Sequence, residues 1–174
     1  MKLWEKGISV DKKIENFTVG NDRELDMFIA RYDITASKAH AKMLEKIGIL
    51  TSAELEDMVR ELDKLQGQIS EGTFSIGEEF EDVHSKIEFE LTQALGDTGK
   101  KIHTARSRND QVLVAMQLYF KENLNEIIGL TNGLIDVLLG LANEHKEKVL
   151  PGYTHLQVAM PSSFGLWFSA YAEL

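Results

Sequence analysis

The chain has 174 residues, 43% of them hydrophobic and 27% charged, enough for one compact core of ordinary size with room for a second small lobe. Nineteen basic residues against 28 acidic ones leave a net charge of −9, which argues against nucleic acid or an anionic membrane as the main partner. There is no cysteine, so disulfides, thiolate nucleophiles and cysteine-ligated metals are excluded. The N-terminal MKLWEKGISVDKK lacks the uninterrupted apolar core of a signal peptide, and no apolar stretch reaches the length needed to span a bilayer. The chain therefore reads as soluble and cytoplasmic, with no membrane partner.

Only two prolines occur, Pro151 and Pro161, so the first 150 residues can sustain long helices. Residues 1–20 are mixed and irregular. Asn21 with Glu24 forms a capping-box pattern, and Leu25, Phe28, Ile29, Tyr32, Ala36, Ala39, Met43 and Ile47 follow at spacings of three and four. They predict one helix, ended by Gly48. Thr51 and Glu54 form a second box ahead of the stripe Leu55, Met58, Val59, Leu62, Leu65 and Ile69, closed by Gly72. After a polar, acidic loop, a third helix is predicted from about Asp82 to Leu95, with Val83, Ile87, Leu91 and Leu95 inward and Gly96 as its stop. GDTGKKIHTARS, with two glycines and no period, reads as a loop.

From Asn109 to His145 a helical period continues without proline through Val112, Met116, Tyr119, Leu124, Ile127 and Ile128. Such a helix would extend about 55 Å. Its apolar residues cover more than one stripe and no strict heptad persists, so it calls for neighbours on several sides, in a bundle completed by other subunits rather than a coiled coil. Beyond Lys148 the pattern breaks, and a new helix is predicted near Pro161 as its first residue. No strand-like alternation of any length occurs. The predicted fold class is all-α: a small N-terminal helical domain over 1–108, then the first part of a long-helix bundle domain over 109–174. The sequence stops inside an apolar helical pattern, which suggests a piece of a longer protein.

Several common sites are absent. The glycines of 96–101 have the wrong spacing for a P-loop, there is no G-x-S-x-G turn, and the single Glu-x-x-His pair, Glu81 with His84, is half of what a di-iron bundle needs. No metal is assigned. Two segments remain. HTARSRNDQV (103–112) gathers two arginines, a serine, an asparagine, an aspartate and a glutamine at a loop-to-helix junction, where guanidinium forks and free N–H groups suit carboxylates. Capping by Ser107 or Asn109 and dipole compensation by Asp110 would explain part of it. They would not explain Arg106 and Arg108, cations near a helix N-terminus that disfavours them. In PGYTHLQVAMP (151–161), His155 lies between Thr154 and Gln157 in a proline-bounded segment, as a proton-transfer residue or as a hydrogen-bonded loop histidine.

With SKAHAKMLEKIGILT (37–51) and EGTFSIGEEFEDVHSKIE (71–88), these strings make the whole chain resemble the argininosuccinate lyase family of the fumarase/aspartase superfamily. Ala105 stands where that family commonly has Gly, and Val158 and Met160 replace its usual Arg and Gln.

The resemblance implies cleavage of argininosuccinate into arginine and fumarate by β-elimination, with no metal or organic cofactor. It implies His155 as the catalytic proton-transfer residue. It places Ser107, Arg108 and Asn109 on the substrate carboxylates, with Thr154 and Gln157 also on the substrate. Asp82 and His84 would line the cleft, and Thr18 would be the counterpart of a substrate-binding serine. A further family loop, Gly-Ser-Ser-x-Met-Pro-x-Lys-x-Asn, supplies the base and does not occur in these residues, so the 174 residues alone are expected to lack turnover. The family assembles as a homotetramer whose active sites each draw on three subunits. Rival readings are another fumarate-releasing lyase, such as adenylosuccinate lyase, a non-enzymatic relative of the δ-crystallin kind, and a helical interaction module without chemistry.

Overall fold

A computed structural model describes residues 11–174. The chain divides into two compact units, Met1–Phe120 and Lys121–Leu174. Among its described residues the first holds helices joined by turns and loops, and no strand. Helix α1 (Lys12–Val19) occupies a segment read as irregular, and residues 1–10 lie outside the described residues. The single helix expected from Asn21 is instead α2 (Asp22–Leu25), a 3₁₀ turn (Asp26–Phe28) and α3 (Ala30–Lys46). Asn21 makes no side-chain cap. The tight turn coincides with a tertiary contact that no local pattern encodes: Asp26 Oδ2 accepts from the Val83 N–H, 3.0 Å away.

Helix α3 buries Ala30, Ile34, Ser37, Ala41 and Leu44. Of the expected stripe only Ile29 and Tyr32 are buried, while Met43 and Ile47 face solvent. Helix α4 (Ser52–Ser70) starts with the predicted capping box, since the Thr51 hydroxyl accepts from Glu54 N and the Glu54 carboxylate accepts from Thr51 N. It packs Met58, Leu62 and Leu65 inward, and Gly72, at φ 70°, follows it in the left-handed region. Asp82 caps α5 (Val83–Leu95), whose buried face is Val83, His84, Ile87 and Leu91.

The segment read as a loop after Gly96 holds a turn of helix, α6 (Asp97–Lys100), and a 3₁₀ turn (Lys101–His103). Gly99 permits this. A Cβ there would overlap the backbone carbonyl of Leu91 and lie 2.7 Å from Thr92 N, so only glycine lets α6 approach α5 so closely. Ile102 and Ala115 complete one contiguous core with the inward faces of α3, α4 and α5.

Helix α7 (Arg108–Glu144) is the long element. The break between units falls within it, twelve residues beyond the 108/109 boundary read from the sequence. In the second unit Leu124, Ile127, Ile128, Leu130, Leu134 and Val137 are more than half exposed, on several sides of the helix. By length and composition alone, α7 contains a window apolar enough to cross a membrane. That corrects the expectation that no stretch qualifies: between Glu126 and Glu144 Asp136 is the one charged residue, so the leucines and isoleucines outweigh the glycines, Thr131 and Asn132 among them.

After α7, strands β1 (Val149–Thr154) and β2 (Gln157–Ser163) form an antiparallel hairpin, a small sheet within an otherwise helical fold. The expectation of no strand is corrected here, and Pro161 opens no helix. It pairs with Pro151 across the hairpin, and α8 (Phe164–Glu173) begins three residues later under a cap in which Ser163 Oγ accepts from Leu166 N. Alternation fails as a signal because both faces of this hairpin are largely exposed, so burial imposes no period of two. Gly165 seats α8 on the end of α7, where a Cβ would lie 2.7 Å from the Lys146 Cα.

Candidate active site

The SRNDQ segment of the first unit stands at the junction between the 3₁₀ turn and α7. Ala105 adopts φ 56°, the left-handed region, which accounts for the glycine usual there. Ser107 Oγ accepts from the Asn109 N–H at 3.0 Å, and Asp110 Oδ2 accepts from the Ser107 N–H at 2.8 Å. Of the two residues read as possible caps, Ser107 makes the bond, and Asp110, read only as complementing the helix dipole, also accepts a backbone N–H. Asn109 is exposed on the first turn.

Arg108 turns back into its own unit. Its Nε lies 3.4 Å from Asp82 Oδ2. Nη1 donates to Glu88 Oε1 (3.2 Å) and Gln111 Oε1 (2.7 Å), and Nη2 donates to Ser85 Oγ (3.1 Å). Glu88 Oε1 also accepts from Gln111 Nε2 and faces His103 Nδ1, each at 3.0 Å. Gln111 is buried.

Behind the junction lies a second polar group, sealed in the core. His84 Nδ1 is 3.3 Å from Asp33 Oδ2, the two side chains 1% and 0% exposed. Ser37 Oγ, 3.5 Å from Asp33 Oδ1, accepts from Arg106 Nη1 at 3.0 Å. Burial pushes the Arg106 guanidinium below its ordinary value, and the nearby Asp33 charge does most to oppose that shift. Asp26, which with Asp82 takes the free N–H groups of α5, has its carboxyl pushed up by burial. Among the described residues no group of three or more His, Asp or Glu side chains is placed to hold a metal ion.

In the second unit the GYTHLQ segment is the tip of the hairpin. His155 (φ 50°) and Leu156 (φ 62°) are the two central residues of the turn, and Thr154 pairs with Gln157 beneath them. Two successive left-handed residues match a type I′ turn, and neither is the glycine or asparagine such turns favour. His155 is exposed, its Nδ1 2.9 Å from Thr154 Oγ1, and Leu156 is 99% exposed. Thr18, on α1, donates to the Ile14 carbonyl.

The first unit thus brings Asp82 to Arg108, next to Ser107 and Asn109, while His84, expected to line the cleft, is buried against Asp33; the second unit brings together Thr154, His155 and Gln157. Sequence reasoning missed Glu88, Asp33 and Ser37, and it gave Gln111 no role beyond its place in the junction. Asp33 and Ser37 carried a usable signal, polar residues four apart on one helix face.

The family described as lyase matches residues 5–174. The chain belongs to this lyase family. Argininosuccinate lyases of Parabacteroides distasonis and Phocaeicola vulgatus are 54% and 52% identical to it, each over 99% of this chain and 39% of the relative. That of Xanthomonas campestris is 47% identical over 98% of this chain and 40% of the relative. The chain spans about two fifths of the length of these lyases. Among solved structures, an EDDS lyase variant with bound fumarate aligns at TM-score 0.71 and 23% identity over 97% of this chain and 33% of that one. A fumarate lyase from Mesorhizobium sp. aligns at 0.69 and 21%, over 97% and 38%. These two likenesses establish the helical fold of the lyase family for this chain.

Proposed function

We propose that these residues belong to a soluble, cytoplasmic argininosuccinate lyase, which breaks a carbon–nitrogen bond by β-elimination to release fumarate and arginine. The observation that carries the reading is the 54% identity to a protein of that name across 99% of the chain. It is supported by the exposed His155 at the hairpin tip and the exposed Asn109 at the start of α7.

In this reaction a proton leaves the carbon next to a substrate carboxylate, the electron pair moves to form the double bond of fumarate, and the guanidinium nitrogen departs and takes up a proton. The carboxylate, charged already in the substrate, needs fixed donors that hold it through the transition state. Ser107 and Asn109, on the positive end of α7, are suited to supply them. The His155 imidazole transfers a proton at the reacting centre, beside Thr154 on the substrate. Gln157, paired with Thr154 across the tip, also faces the substrate. Asp82 lines the cleft from α5, with His84 buried behind it against Asp33, and Thr18 stands for the substrate serine of the family. No cofactor is needed for these steps. The apolar faces of α7 beyond Phe120 suit burial in a multi-subunit bundle, a homotetramer.

The test is fumarate release by the full-length protein from argininosuccinate, with adenylosuccinate as the control substrate. Release from argininosuccinate is expected, and His155→Asn should slow it about 10²–10⁴-fold without loss of fold. Turnover of adenylosuccinate alone, or normal rates in the variant, would overturn the reading.

A further inference from the structure

An arginine in a substrate-binding motif invites the assumption that it grips a carboxylate. The geometry of Arg108 opposes it. A guanidinium carries five N–H bonds. Here both Nη1 hydrogens go to Glu88 and Gln111, one Nη2 hydrogen goes to Ser85, and Nε lies 3.4 Å from the Asp82 carboxylate. An end-on carboxylate grip needs a hydrogen from each Nη, and Nη1 has none left, while the Nε edge already has Asp82 beside it. The charge is spoken for as well, since Asp82 and Glu88 both lie within ion-pair distance of Arg108. Releasing the fork for a substrate would take from these two carboxylates the guanidinium they share, and Glu88 is only 15% exposed.

Glu88 is the other half of the device. Its Oε1 meets His103 before the junction and Arg108 and Gln111 after it, so one oxygen on α5 fixes both sides of the segment that holds Ser107 and Asn109. Asp82 and Ser85, also from the start of α5, complete the hold.

We propose that Arg108 is a positioning residue and Glu88 its partner: together they lock the start of α7 to α5, so that Ser107 and Asn109, and not the Arg108 fork, meet the substrate carboxylate. For the identity of the substrate this rests on the lyase reading above.

The experiment is a double-mutant cycle in the full-length protein with Arg108→Ala, Glu88→Ala and the double variant, read by steady-state kinetics with argininosuccinate and by urea unfolding. Each single variant is expected to raise KM about tenfold with kcat changed less than about threefold, because the groups being positioned bind ground state and transition state alike. The double variant should match the worse single one, since the two side chains act as one unit. Glu88→Gln, which keeps the acceptor oxygen, should restore most of the wild-type KM. A rise of about 100-fold or more in Arg108→Ala, with Glu88→Ala unchanged or binding more tightly, would show the fork on the substrate and overturn the proposal. In urea the double variant should unfold at the midpoint of the less stable single one, and additive midpoints would overturn the pairing whatever the substrate. A wild-type protein that releases no fumarate from argininosuccinate would sink the lyase reading separately, and the unfolding cycle would still decide the pairing.

Discussion

Asp33→Ala is the substitution on which the buried polar group can be judged. Asp33 is fully buried, 3.3 Å from His84 Nδ1 and linked through Ser37 to Arg106. Alanine removes the anion and leaves the partly buried Arg106 guanidinium without the nearest opposing charge. Removing one member of a buried charge pair costs about 3–5 kcal/mol, most of it from the stranded partner. Against a net stability of about 5–15 kcal/mol, that is a large share. With about 4 °C lost per kcal/mol for a unit of this size, the melting temperature should fall by about 12–20 °C. Urea unfolding followed by far-UV circular dichroism gives the free energy directly. A companion double variant, Asp33→Ala with Arg106→Met, should recover about 1 kcal/mol or more, because the stranded cation is gone. If Asp33→Ala lies within about 1 kcal/mol of wild type, the charge-compensation argument is wrong.

Three further outcomes follow from local geometry. Gly99→Ala should cost about 1–3 kcal/mol or more in urea unfolding, since the clashing atoms are backbone and cannot rotate away. Ala105→Gly should gain about 0.5–1 kcal/mol, because the left-handed penalty at φ 56° exceeds the extra entropy glycine loses on folding; a loss of stability would show that this residue is not strained. Glu54 is held at about 2 against an ordinary value of 4.5, first by Lys101 and then by the Thr51 N–H. A depressed carboxyl pKa stabilises the fold above the ordinary value and loses that contribution as pH falls. The stability gap between wild type and Glu54→Gln should therefore be constant above about pH 4.5 and close by about pH 2, which an acid titration of urea midpoints checks.

The helices were legible where one apolar face decides the matter. Helices α4 and α5 keep their predicted inward residues, and Thr51 with Glu54 makes the box its spacing promised. Helix α3 shows the failure mode. Its sequence offers two stripes of helical period, and the fully apolar one attracts the eye. The protein buries the other, because Asp33 and Ser37 on that face have partners in His84 and Arg106 that local pattern cannot supply. The hairpin was illegible for a related reason: its turn carries His155 and Leu156 where a glycine or asparagine would have announced it. The two motifs stood out by residue type alone. The direction of the Arg108 fork was not readable, since its partners Asp82, Ser85 and Glu88 lie 20 or more positions away in sequence.

The irregularity in the hairpin register bears on how this protein can vary in length. Tyr153 pairs with Val158, but Gly152 pairs with Met160, so Ala159 is the extra residue of a bulge. Between bulge and tip there are two paired rungs and a two-residue turn, and adding or deleting a residue there would demand a different turn and carry the imidazole to the opposite face. Below the bulge the register has already been reset. Insertions and deletions between homologues should therefore gather at Ala159 or nearer Val149 and Ser163, leaving the six residues from Tyr153 to Val158 constant in number even where their identities drift.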